Sequence, residues 1–198
     1  MRLIVGIGNP GSHYKNNRHN VGFQFLDFFA AKKMIRFKTS KFDYHYAEGE
    51  FSGKSYILIK PDTYVNNSGL AVLDCIDHYK IDVTEILVVV DDINLSLADI
   101  RIRKSGGDGG HNGLSSIIYH LQNNSFSRLR IGIGNNFESG NLVNHVLSDF
   151  DKNEFMQLEK SFEIIEQLTE SYISDGYDKM LSTFSRLKNL DKLNKESE

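Results

Sequence analysis

Apolar positions in this chain come in two kinds of run. Short runs rich in β-branched and aromatic residues cover 2–8 (RLIVGIG), 45–52 and 54–60 (within YHYAEGEFSGKSYILIK), 85–91 (EILVVVD), 99–104 and 128–134 (RLRIGIG), and each predicts a strand. Ser52-Gly53 supplies a turn that makes the second and third runs a hairpin. Between these runs, residues 20–34, 67–80, 112–122, 152–173 and 176–187 repeat apolar side chains at intervals of three and four, the period of a helix buried on one face. Some strands are apolar at every position, which requires cover on both sides. Strands interleaved with helices then predict an α/β fold in a single domain: a mixed, mostly parallel, twisted sheet with helices on both faces. After Leu187 the segment KNLDKLNKESE is polar and is expected to fray, which divides the chain into a folded unit, 1–187, and a tail, 188–198.

Composition narrows the class. A chain of 198 residues can bury a sizeable core, and no apolar run approaches the roughly 18 residues a membrane span needs. The apolar stretch at the N-terminus is too short for a secretion signal and runs directly into a core strand, so a cytoplasmic protein that contacts no membrane is expected. A monomer is expected as well. Cys75, the sole cysteine, lies among apolar neighbours and is expected to fill the core. The net charge of -3 hides an asymmetry: residues 1–150 carry 16 Lys/Arg against 15 Asp/Glu, and residues 151–198 carry 7 against 11. An anion-binding surface therefore belongs in the first three quarters of the chain.

In open sheets of this kind ligands bind beyond the carboxyl ends of the strands, so the loops that follow strands matter most. Here they read GNPGSHYKNNRHN, KPDTYVNNSG, DDINLS and SGGDGGHNG, and the only two prolines, Pro10 and Pro61, fall in them. The first begins as GIGNPG, a literal G-x-G-x-x-G after a strand, the spacing that seats a dinucleotide pyrophosphate. That reading fails on its neighbours. Residues 12–20 have no apolar face for a helix, and Asp27, at the distance of a ribose-binding acid, falls inside the helical stretch VGFQFLDFFAAKK. What the loop can form is a stiff polar turn that displays Asn9 and delivers His19 just before the next helix, a residue whose ordinary pKa suits a general base.

The SGGDGGHNG loop packs glycines ahead of a helix, where backbone N–H groups can face an anion or a carbonyl oxygen; no G-K-[ST] follows, which excludes an ATP-binding P-loop. His111 within it could equally be a structural hydrogen bonder. Taken together the loops carry a resemblance. The chain resembles the bacterial peptidyl-tRNA hydrolase family through Gly8-Asn9-Pro10-Gly11, Tyr14, Arg18-His19-Asn20, Lys60-Pro61 with Thr63-Tyr64 and Asn66, Ser68-Gly69, Asp91-Asp92, Gly109-Gly110-His111-Asn112-Gly113 and the run from Arg128 to Gly134. These matches follow the family's order from residue 2 to about 187. Val65 stands where methionine is usual, Asn94 where aspartate is common and Ser96 where proline often follows.

The resemblance implies hydrolysis of the ester joining a peptide to the 3′ end of tRNA. It implies His19 as the base that activates water and Asp91, or alternatively Asp92, as the carboxylate that orients it. Asn9, Asn66 and Asn112, with Tyr14, Tyr64 and His111, would line the substrate cleft, and Arg103 or Lys104 together with Arg130 would hold a tRNA phosphate. No serine sits in a G-x-S-x-G elbow and Cys75 has no base nearby in sequence, so direct attack by water is expected rather than an acyl-enzyme. The seven histidines show no H-x-x-x-H spacing, and neither metal nor other cofactor is expected. Two other readings keep the same fold: a non-catalytic RNA-binding protein, and a small-molecule esterase with no use for the basic set.

Overall fold

The computed structural model describes residues 1–136 and 140–196, with the backbone alone described for 191–196. Seven strands form one sheet: β1 (Arg2–Gly6), β2 (Lys38–Thr39), β3 (Tyr44–Phe51), β4 (Lys54–Pro61), β5 (Ile86–Asp92), β6 (Ile100–Arg103) and β7 (Ser127–Gly132). Their order across the sheet is β2-β3-β4-β1-β5-β7-β6. The four central strands run parallel, while β3 and β6 run against their neighbours.

Period-two alternation sends side chains of each central strand to both faces. Ile4, Leu58, Leu87 and Val89 pack on one side with α1 (Val21–Lys32), α5 (Lys152–Asp175) and the first turns of α6 (Tyr177–Glu196). Leu3, Val5, Ile57, Val88 and Val90 pack on the other with α2 (Ser68–Tyr79) and α3 (Asn112–Leu121). Burial on both faces is why VVV in β5 shows no polar position at all. Cys75 is fully buried in the α2 layer, as its neighbours suggested. Among the described residues no helix is long and apolar enough to cross a membrane.

Three features depart from the sequence pattern. The two-residue β2 and the six-residue α4 (Leu142–Leu147) are too short to establish a period. The segment expected to fray is helical in its backbone: α6 continues to Glu196, because residues 188–196 contain no glycine or proline to stop it and Leu187 and Leu190 keep the three-residue spacing. Residues 197–198 of that tail lie outside the described residues. The acidic stretch proves to be a packing helix. Leu158, Phe162, Ile165, Leu168 and Tyr172 of α5 are buried against the sheet and α1, and Glu166 and Glu170 pair with Lys33 at the end of α1.

One contact sets the height of α1 over the sheet. A Cβ on Gly22 would lie 2.5 Å from the Val89 carbonyl oxygen and 2.7 Å from that of Ile7, so only glycine lets the first turn of α1 rest directly on β1 and β5. The residues just before that turn are thereby held above the carboxyl ends of the two strands.

Candidate active site

Those residues are Arg18, His19 and Asn20, a single 3-10 turn. The turn is fixed on both flanks of His19. The Asn20 side chain accepts from the Asn9 N–H at 2.8 Å and donates to the Asn9 carbonyl at 2.9 Å, clamping the GNPG loop to the start of α1. Arg18 donates to both oxygens of Glu154 at 2.8 Å and to the Ile133 carbonyl at 3.1 Å, and its guanidinium lies 4.8 Å from the centre of the Phe150 ring. Glu154 also closes the capping box of α5 with Asp151. The N-terminus of α5 and the end of β7 are thus pinned beneath His19.

At the end of β5, Asp91 is 3 % exposed and meets two imidazoles. Its Oδ1 lies 2.7 Å from His19 Nδ1 and 2.9 Å from His111 Nε2. His111 is the N-cap of α3, and its Nδ1 accepts from the Gly113 and Leu114 N–H groups at 3.1 and 3.3 Å. An acceptor at Nδ1 places the ring proton on Nε2, pointing at Asp91. Both nitrogens of His111 are therefore occupied. His19 spends only Nδ1 on Asp91, and its Nε2 makes no hydrogen bond within the described residues.

His19, Asp91 and His111 have the composition of a metal site, with ligand atoms all within 4.8 Å of one another. The donor set reads differently. A metal at His111 Nε2 would require that proton to move to Nδ1, where two backbone donors already point. The three side chains form a hydrogen-bonded relay, with the carboxylate accepting from both rings.

The charges reinforce this. Burial alone would push the Asp91 carboxyl up, yet the two imidazoles outweigh it and hold its pKa far below the ordinary carboxylate value. For His19 burial works to lower the pKa, and the charge and hydrogen bond of Asp91 overcome it, leaving the ring more basic than a free histidine. A carboxylate that stays ionised beside an imidazole of raised pKa, with one ring nitrogen uncommitted, can take a proton from a bound water and stabilise the imidazolium that results. The His19 side chain is 15 % exposed, less open than the loop sequence suggested. It borders a cavity of about 150 Å³ lined also by Asp91, Ile93, Gly109, Gly110, His111, Asn112, Arg130 and the α4 residues Leu142, Val143 and Val146.

The next carboxylate along β5 belongs to a different set. Asp92 Oδ2 is 3.2 Å from Arg130 Nη1 and 3.8 Å from Arg101 Nη1, so Asp91 and not Asp92 is the partner of His19. Arg130 also donates to the Asp108 carbonyl at 3.0 Å and lies beneath the glycine loop. At Gly109, with φ of +62°, a Cβ would come 3.1 Å from that guanidinium. Arg101 faces Arg130, and Arg103 faces Arg128, across the β6–β7 pair, which puts the four arginines on one face of the sheet. Lys104, the following residue, turns away to Asp178 at 3.6 Å and the Tyr177 ring of α6. The basic set expected from sequence is therefore split, with Arg103 on the side of Arg130 and Lys104 apart from it.

The remaining expected residues sort by position. Asn9 Oδ1 accepts from the Val65 N–H at 3.1 Å, tying the first loop to the 64–67 turn and leaving its NH₂ group to offer a ligand. Asn112 lines the cavity at the start of α3. Tyr64, 60 % exposed, and the exposed Asn66 project from the turn that Asn9 holds. Tyr14 does not line this cavity, and its ring packs edge-on against His13. Sequence reasoning quoted Arg18 and Asn20 as part of the motif around His19 without giving either a role, and it passed over Glu154 and the α4 wall. The first two stood next to His19 in a string of polar residues whose burial no periodicity revealed.

The fold and site define a class: a one-domain protein with a doubly covered sheet and a carboxylate-oriented imidazole facing an open cavity at the carboxyl ends of the parallel strands. The sequence profile of the peptidyl-tRNA hydrolase family matches residues 3–193, and the chain belongs to that family. It is 42 % identical over 188 residues to a peptidyl-tRNA hydrolase of Clostridium beijerinckii, covering 95 % of this chain and 97 % of that one. With the Clostridium acetobutylicum peptidyl-tRNA hydrolase it shares 40 % identity, covering 95 % and 100 %. The crystal structure of peptidyl-tRNA hydrolase from Acinetobacter baumannii superposes with a TM-score of 0.85 at 34 % identity, covering 92 % of this chain and 94 % of that one.

Proposed function

We propose that this chain hydrolyses peptidyl-tRNA, releasing free tRNA and a peptide acid, with His19 as general base. The observation that carries the reading is the 2.7 Å contact between His19 Nδ1 and Asp91, which leaves Nε2 as the uncommitted nitrogen beside the cavity. Water held at Nε2 attacks the ester carbonyl carbon as its proton passes to the ring. The tetrahedral intermediate collapses with cleavage of the bond to the ribose oxygen, which recovers the proton from the imidazolium. A positioned base of this kind contributes roughly 10²–10⁴ in rate.

Asp91 and His111 are positioning residues in this scheme, since neither faces the reacting carbon with a free group. The Asn112 amide and the NH₂ of Asn9 suit the polarised carbonyl and the peptide N–H and C=O groups, with Asn66 and Tyr64 at the rim. Amide-complementary groups favour an N-blocked peptide over the charged amine of aminoacyl-tRNA. Arg103 and Arg130 fit the tRNA phosphate. Residues 1–187 act as one catalytic unit, without metal, and the protein works as a monomer in the cytoplasm.

The test is incubation with N-acetyl-aminoacyl-tRNA and with its unacetylated counterpart in the presence of EDTA, scoring release of free tRNA. The acetylated substrate is expected to be cleaved and the free-amine ester spared. Cleavage of neither, or cleavage only on addition of a divalent cation, contradicts the reading.

A further inference from the structure

Beside the catalytic cavity lies a larger groove, about 520 Å³, whose lining, Asn9 apart, the chemistry above does not use. Its floor and walls carry Phe23 of α1, Phe37, His45 of β3, Lys60 of β4 and Phe155 of α5. Phe155 is 40 % exposed there, on a helix whose other aromatic side chains are largely buried. Lys60 contributes little net charge. Its ammonium is 2.5 Å from Asp27 Oδ1 and lies over the Phe37 ring at 4.2 Å from its centre. The other charged residues lining the groove, Lys15 and Asp62, are of opposite sign. The surface is thus aromatic and close to neutral.

Position decides what can reach it. Asn9 and Asn20 line the groove, and Asn20 is the neighbour of His19, so the groove opens next to the residue that meets the reacting carbonyl. Sheet order separates the two halves of the substrate. His19 and Asp91 stand over β1 and β5, the arginines lie to one side on β7 and β6, and the groove lies to the other over β4 and β3. Polyanionic RNA belongs on the arginine side. We infer that the groove formed by Phe23, Phe37, Lys60 and Phe155 receives apolar side chains of the peptide, one to three residues N-terminal to the esterified residue. The inference rests on the function proposed above and adds to it a preference for apolar peptides.

Three substrates test it: tRNA esterified with N-acetyl-Ala, N-acetyl-Gly-Gly-Ala and N-acetyl-Phe-Phe-Ala. The wild-type protein is expected to show a lower KM for the Phe-Phe substrate than for the Gly-Gly one, with kcat/KM raised about tenfold, the scale of one well-buried apolar side chain. In Phe155→Ala that ratio is expected to fall toward one while cleavage of the N-acetyl-Ala ester changes much less. Asn16→Trp, which fills the groove from an exposed loop position, is expected to do the same without touching the core. Equal kcat/KM for Phe-Phe and Gly-Gly in the wild type, or a ratio unaltered in both variants, overturns the groove assignment and leaves the hydrolase reading intact. Failure to cleave all three overturns the hydrolase reading itself.

Discussion

Asp91 and Asp92 are consecutive residues of one strand, equally buried, yet they anchor two different regions. Asp91 faces two imidazoles and Asp92 faces two guanidiniums. An arginine never gives up its proton under ordinary conditions, so the Asp92 region is a fixed electrostatic clamp that holds the glycine loop and the end of β7. An imidazole can give up or accept one. The Asp91 region is accordingly the part where a proton moves, and the difference lies wholly in which partner each carboxylate meets as the strand alternates.

The contrast can be broken at either end. Replacing His19 by Ala removes the movable proton, and turnover of N-acetyl-aminoacyl-tRNA is expected to fall by about three orders of magnitude, while tRNA affinity in a filter-binding assay stays within about threefold. A smaller loss, about 10²-fold, is expected for Asp91→Asn, whose amide can still touch His19 but no longer stabilises the imidazolium. Asp92→Asn is expected to act on stability instead. It leaves Arg130 short of its counter-charge and lowers the unfolding free energy by about 1–3 kcal/mol, read by urea denaturation, with the pH dependence of turnover unmoved. The smallest effect belongs to Arg103→Ala, which is expected to reduce the slope of log affinity against log salt by about one for whole tRNA, and to spare a minimal N-acetyl-aminoacyl-nucleoside ester.

Much of this was legible in the chain. The strands and long helices were set by apolar period, and His19, Asn9 and the histidine loop stood out as polar residues at strand ends. Choices between adjacent residues were not legible. Asp91 against Asp92, and Arg103 against Lys104, depend on strand register and on how the backbone bends at its end, and neighbours in sequence carry the same composition. His111 shows a second limit. Its role as N-cap of α3 comes from a backbone conformation that the glycines before it permit, with Gly109 and Gly110 both at positive φ. The groove beside Phe23 escaped for another reason: Phe155 lies far along the chain from Phe23, Phe37 and His45, and each alone reads as ordinary core or surface.

The charge and hydrogen bond of Asp91 raise the proton affinity of His19. The direct measurement is the pH dependence of kcat/KM on N-acetyl-aminoacyl-tRNA for the wild type and Asp91→Asn. Because the base must be deprotonated, activity rises with pH through the pKa of His19, and the wild-type acid limb is expected above the ordinary histidine value of 6.5. Without the carboxylate only burial remains, and the limb of the variant is expected to shift below 6.5. Superimposable acid limbs in the two proteins would contradict the account.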